Sequence, residues 1–159
     1  MLRIQDGQRL EHRLKVGSGV SVVNTAIDEG LVAEVLFGPA KPLLGSGLDD
    51  DALVRTAQEE FGDRKFCIVR GWIILDVMYG EPGQGRDGPA ASHSSMLFVL
   101  DTVFDTCKHD TGQSYLTHYG RADGCFFETE QKIFIMAGRG ARKFVSAQAI
   151  DALRAYACA

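Results

Sequence analysis

The sequence predicts an α+β domain, with an antiparallel sheet of about five strands, two N-terminal helices and one C-terminal helix packed on it. Three observations predict it. Strand-like runs rich in aromatic and β-branched residues follow one another from residue 65 to residue 136. A capped amphipathic helix reads at 49–61, just before them, and a second closes the chain at 146–157. Strands in succession with helices gathered around them make a sheet covered by a helical layer.

The first alternation is in Leu10, His12, Leu14 and Val16, with Arg9, Glu11, Arg13 and Lys15 between them. It suggests a half-buried strand near the terminus. After Gly17 the period changes. Val23, Ile27, Leu31 and Val35 recur every fourth residue, which predicts a helix over 20–37. Gly30 inside it costs about 1 kcal/mol relative to Ala, and a split at Asp28-Glu29-Gly30 is the alternative. Residues 38–47 hold two prolines and three glycines and read as a connector. We treat 1–45 as an N-terminal layer and 46–159 as the β-rich core of one domain. The shorter piece is too small for a core of its own.

At Asp49 the helix signal is plain. Asp49 caps it, Leu53, Ala57 and Phe61 form the apolar stripe, and Gly62 ends it. The carboxylates of Asp49, Asp50 and Asp51 suit the positive end of the helix dipole. Residues 65–79 form the longest strand, with Gly71 marking a bulge or a close backbone approach. The glycine- and proline-rich loop 81–92 joins it to a strand at 94–104, and a short strand follows at 114–119. Residues 125–128 and 132–136 make a hairpin joined by Thr129-Glu130-Gln131. Phe134 shares a face with Lys132 and Met136, while Ile133 and Ile135 face the other way. A strand apolar on both faces is covered on both. Gly138 to Lys143 then reads as a basic turn leaving the hairpin. Ser146 caps the last helix, whose buried face carries Ile150, Leu153 and Ala157.

Composition narrows the class. The chain has 159 residues, 45% hydrophobic and 24% charged, which is ordinary for a globular domain with a real core. A net charge of −4 argues against broad nucleic-acid binding. No apolar run approaches the ~18 residues of a membrane span, and the N-terminus lacks the apolar stretch of a signal peptide. The expected compartment is therefore the cytoplasm, with Cys67, Cys107, Cys125 and Cys158 as thiols.

Two constellations could carry chemistry. Arg139, Arg142 and Lys143 crowd into the glycine-spaced turn and, joined by His118, could clamp an anion. The plainer reading is a solvated turn, since neither a Walker A loop nor a complete GxGxxG is present. Cys107, His109, His118 and Cys125 offer zinc-ligand chemistry within 19 residues, at a spacing that matches no familiar zinc module. The same residues could form a Cys–His pair oriented by Asp105, Asp110 or Asp123. The plainer reading is two buried thiols and two surface imidazoles. His93 precedes a strand, and no GxSxG elbow accompanies its serines. No cofactor is implied.

The stretch Phe127, Thr129, Gln131, Ile133, Phe134, Met136, Gly138, Gly140, Arg142 and Lys143, with the strand from Ile68 to Val77 upstream, resembles a family of small bacterial and phage-borne proteins without an assigned activity. The resemblance spans roughly residues 65–150 and implies origin and a shared β-rich core. With no catalytic signature, the expected function is binding rather than catalysis. The chain would be an accessory protein, conceivably an anti-defence factor, whose partner is another protein. The rivals are an enzyme or ligand-binding domain with its anion site at Arg139, Arg142 and Lys143, and a zinc-stabilised fold.

Overall fold

The computed structural model describes residues 27–78, 95–107 and 113–158. The strand expected over residues 10–16, the loop over 81–92, His93, His109 and Asp110 lie outside them. In chain order the elements are α1 (Glu29–Phe37), β1 (Lys41–Leu44), α2 (Asp50–Phe61), β2 (Phe66–Met78), β3 (Ser95–Asp105), β4 (Tyr115–Leu116), β5 (Gly120–Asp123), β6 (Phe126–Thr129), β7 (Ile133–Met136), β8 (Arg139–Ser146) and α3 (Ala147–Cys158).

The α+β class holds, but the sheet corrects the expected one in three respects. It has eight strands, it is mixed, and it closes. β2 pairs antiparallel with β3, and β3 with β4 and β5. β5 pairs with β6 and β6 with β7, again antiparallel. β7 then returns to lie parallel to β2, from Phe66↔Ile133 to Val69↔Met136. An up-and-down meander alternates direction, so its first and fifth strands run the same way. A five-stranded meander that closes must therefore close on a parallel pair. The barrel strands are β2, β3, β5, β6 and β7.

The basic turn is the second correction. From Arg139 onward the chain is strand β8, which continues β7 and stays parallel to β2, from Trp72↔Gly140 to Met78↔Ser146. Only Gly138, at φ +67, makes the kink. β2 bends beside it at Gly71, φ +60. The predicted connector also contains a strand: β1 pairs with β8 and forms the sheet's edge. Pro42, which has no N–H to donate, is tolerated in such a place.

Alternation along β2, with its phase reversed across Arg70 and Gly71, sorts its side chains into an inside and an outside. Cys67, Val69, Trp72 and Ile74 point inward and pack with Leu97, Val99, Phe127, Phe134 and Met136. Trp72 donates from Nε1 to the Ala137 carbonyl at 3.0 Å. Its ring lies so close to Gly140 that a β-carbon there would sit 2.2 Å from Cδ2. Outside, Phe66, Ile68, Ile133 and Ile135 pack under Leu53 and Ala57 of α2. Ile73, Leu75, Val77, Met96 and Phe98 pack under α1 and α3. The helices thus sheathe two different walls rather than lying together on one side of an open sheet.

The helix starts follow from their caps. Asp49 accepts from the Ala52 amide at 2.8 Å and Ser146 from Ala149 at 3.1 Å. Asp28 accepts from Leu31 at 3.1 Å, so α1 begins at Glu29, which is the alternative split of the 20–37 segment.

Candidate functional site

One end of the barrel is polar. The inward positions that begin β2 and end β3 are Cys67 and Asp105, which face each other across the pair. Lys132 precedes β7 and shares the inward face of Phe134. Its Nζ lies 2.9 Å from Asp105 Oδ2, and the two side chains are 13% and 2% exposed. Asp105 Oδ1 accepts from the Cys107 amide at 2.8 Å. Both carboxylate oxygens are therefore answered, as a buried charge requires. Lys132 Nζ also lies 5.6 Å from the centre of the Phe134 ring.

Local turns place these groups. Thr129 Oγ1 accepts from the Gln131 and Lys132 amides and donates to the Lys132 carbonyl at 3.1 Å, which fixes the β6–β7 turn. Thr106 ties the start of β2 to the end of β3 through the amide and carbonyl of Phe66, each at 3.1 Å. Thr117 Oγ1 accepts from the Leu97 amide at 2.9 Å and donates to the His118 carbonyl, holding the kink between β4 and β5.

Beside the ion pair, Tyr115 Oη lies 3.6 Å from Cys67 Sγ. Burial pushes the Cys67 thiol up to about 11, against a smaller opposing effect of the Tyr115 hydroxyl. Burial likewise pushes the Tyr115 hydroxyl up, helped by Cys67. Thr102, 5% exposed, lies beside both and eases the ionisation of each. It is near enough to act on both, yet its Oγ1 makes no hydrogen bond of normal geometry to either, alone among the buried side-chain polar atoms of the described residues. Of these groups Thr102, Tyr115 and Lys132 line a cavity of about 530 Å³ at the barrel mouth, together with Phe134 and Gln131 and with His118 at its exposed rim; Cys67 and Asp105 lie behind them.

The predicted constellations land elsewhere. Arg142 grips Asp76 through two hydrogen bonds, Nε to Oδ2 at 2.7 Å and Nη2 to Oδ1 at 2.9 Å. Asp76 also accepts from Ser95 Oγ at 2.7 Å. That pairing holds the Arg142 proton more firmly than usual. Lys143, the next residue on a strand, points the opposite way. Its Nζ donates to the carbonyls of Glu34, Val35 and Gly38 at 2.8, 2.6 and 3.2 Å, capping the C-terminal end of α1. Desolvation lowers its pKa. Arg139 is exposed opposite Leu44. None of these three lines the mouth where His118 stands. Cys125 lies under α2 in a small pocket with Leu53 and Phe61, away from the mouth, and Cys107 follows the end of β3. Among the described residues no group of three or more His, Cys, Asp or Glu could hold a metal ion.

Sequence reasoning missed the mouth. Asp105 entered only as an orienter for a Cys–His pair, and Lys132 only as a strand neighbour of Phe134. A lysine on the inward face of an apolar strand was the available signal, because such a charge demands a buried partner.

The fold and this end together define a class: a small closed β-barrel, sheathed by helices, with a polar cavity at one end. A family described as a domain of unknown function, DUF6957, matches residues 44–152, and the chain belongs to it. The matched span holds every barrel strand and all of the described mouth lining but Ala157, while α1 and most of β1 precede it. Comparisons with curated proteins and with solved structures give no match. No helix among the described residues is long and apolar enough to cross a membrane.

Proposed function

We propose that this chain is a non-enzymatic binding module whose barrel mouth receives one short segment of a partner macromolecule. One observation carries the reading: among the described residues the mouth is rich in hydrogen-bonding groups, and the acid and the thiol beside it are not poised to react. The thiol of Cys67 is buried and pushed up to about 11, far from the low values that make a cysteine nucleophilic. Asp105 is answered on one oxygen by Lys132 and on the other by a backbone amide, which holds it as a paired carboxylate rather than a free base. A general base needs reach to a reacting proton. These groups reach one another instead.

The anion-clamp reading receives less support, because Arg142 and Lys143 are each occupied on opposite faces of β8. The test is a fragment titration of the full chain followed by amide chemical shifts. Binding confined to residues around Thr102, Tyr115, Gln131 and Lys132, with every fragment recovered unchanged, is the expected result. Conversion of any bound fragment, or binding confined to β8, would overturn the reading.

A further inference from the structure

We propose that the group entering the mouth is an uncharged ring bearing neighbouring hydroxyls, that is, a saccharide unit, with Thr102 at the floor of its subsite. The proposal rests on the mouth being a binding site.

Charge balance comes first. Lys132 is the one Lys or Arg among the described residues lining the cavity, and Asp105 already answers it at 2.9 Å. No Asp or Glu is among the described lining residues. An anion would have to compete with Asp105 for Lys132 and would otherwise meet only the exposed imidazole of His118 at the rim, and a cation would find no free carboxylate among the described lining residues. The site therefore favours a neutral ligand, since a bare charge would lose hydration without a partner.

The kind of hydrogen bond comes next. The lining presents hydroxyls from Thr102, Ser114 and Tyr115 and carboxamides from Gln113 and Gln131, while the Thr129 hydroxyl is committed to its own turn. Hydroxyls and amides both donate and accept. Their best complement is a ligand whose own groups do both at several neighbouring positions, as ring hydroxyls do. The unpartnered Thr102 Oγ1 supplies the independent sign that a ligand atom belongs there. A buried hydroxyl without a partner costs free energy that one bond to a ligand would recover.

The walls agree. The half-buried Tyr115 ring packs against the buried Phe134 ring, 6.3 Å away at 49°, and gives the cavity one apolar wall against which the C–H face of a sugar ring can pack. A cavity of about 530 Å³ lies within the range that small-ligand sites occupy. Sugar rings occur in free or polymeric glycans and in nucleosides, and the shared chemistry is the set of neighbouring hydroxyls.

The experiment is an amide chemical-shift titration of the full chain with three probes: a neutral disaccharide set (maltose, cellobiose and diacetylchitobiose), adenosine, and the capped peptide acetyl-Ala-Ser-Ala-amide. Each is repeated on Thr102→Val and Gln131→Ala. Thr102→Val removes only the hydroxyl and keeps the branched shape, and the melting temperature of each variant is read beside the wild type, so that a loss of binding is separated from a loss of fold. The expected result is saturable shifts at Thr102, Tyr115 and Phe134 with a disaccharide or with adenosine, and affinity about fivefold to tenfold weaker in Thr102→Val. The two arms distinguish a glycan from a nucleoside source. Mouth shifts with the peptide alone would overturn the saccharide assignment while leaving the mouth as a binding site. Unchanged saccharide affinity in Thr102→Val would also overturn it, since that hydroxyl would then be met by water only. No mouth shift with any probe would overturn this proposal and the binding reading together.

Discussion

Lys132 and Asp105 meet with almost no water around them, so neither can lose its partner cheaply. Removing one side of a buried pair leaves the other charge uncompensated. Lys132→Met should lower unfolding stability by about 3 kcal/mol, measured by urea denaturation. Adding Asp105→Leu to it should recover most of that loss, because the remaining charge is then gone. Cys67 makes a second prediction, in pH. Its thiol binds its proton more tightly folded than unfolded, with its value raised from 9.0 to about 11. Stability from this group is therefore complete below pH 9 and is lost as pH rises toward about 11. Tyr115 is shifted the same way and adds to the slope. Cys67→Ala should flatten the alkaline fall in stability by about 2 kcal/mol, read from denaturation midpoints across pH 8 to about 11. An unchanged slope would mean that the thiol reaches water.

At the scale of elements, β8 shows how one strand serves two walls. Trp72 and Arg142 lie on its inner side, while Lys143 and Val145 turn toward the helices. Gly140 is the only residue that lets the Trp72 ring lie flat on the backbone, so Gly140→Ala should cost about 2 kcal/mol through overpacking. Calorimetry would check it. Lys143 binds the last carbonyls of α1. Lys143→Met should destabilise by about 1 kcal/mol and speed hydrogen exchange in α1 while leaving α2 protected. The same strand explains a sequence misreading. Gly-Arg-Gly followed by two cations has the composition of a turn, and only pairing with β2, some 68 residues earlier, makes it a strand. The helices were legible, because an N-cap carboxylate or hydroxyl and a stripe of Leu, Ala and Ile are local signals. So were β2, β3 and the β6–β7 hairpin, each marked by its own alternation.

For the whole molecule, the illegible part was closure. Ile133 and Ile135 announced a covered strand, and that expectation holds under α2. Nothing local distinguishes an open sheet from one whose first and last strands meet, since both bury the same alternating residues. The mouth was illegible for the same reason. Its groups come from positions 67, 102, 105, 115 and 132, and only the rolled sheet gathers them. Closure also gives the chain its interior. Trp72, Phe127, Phe134 and Met136 fill the barrel like a core rather than lining a pore, and the polar mouth exists only because that filling stops at Cys67 and Tyr115.

The most direct measurement is therefore of the seam: backbone proton–proton contacts by NMR between β2 and its two neighbours. A closed barrel predicts contacts from Cys67 to Phe134 and from Ile68 to Ile135, running parallel, together with antiparallel contacts from Ile73 to Phe98. Finding β2 paired with β3 while Cys67 and Ile68 show no contact with β7 would contradict closure, and with it the mouth.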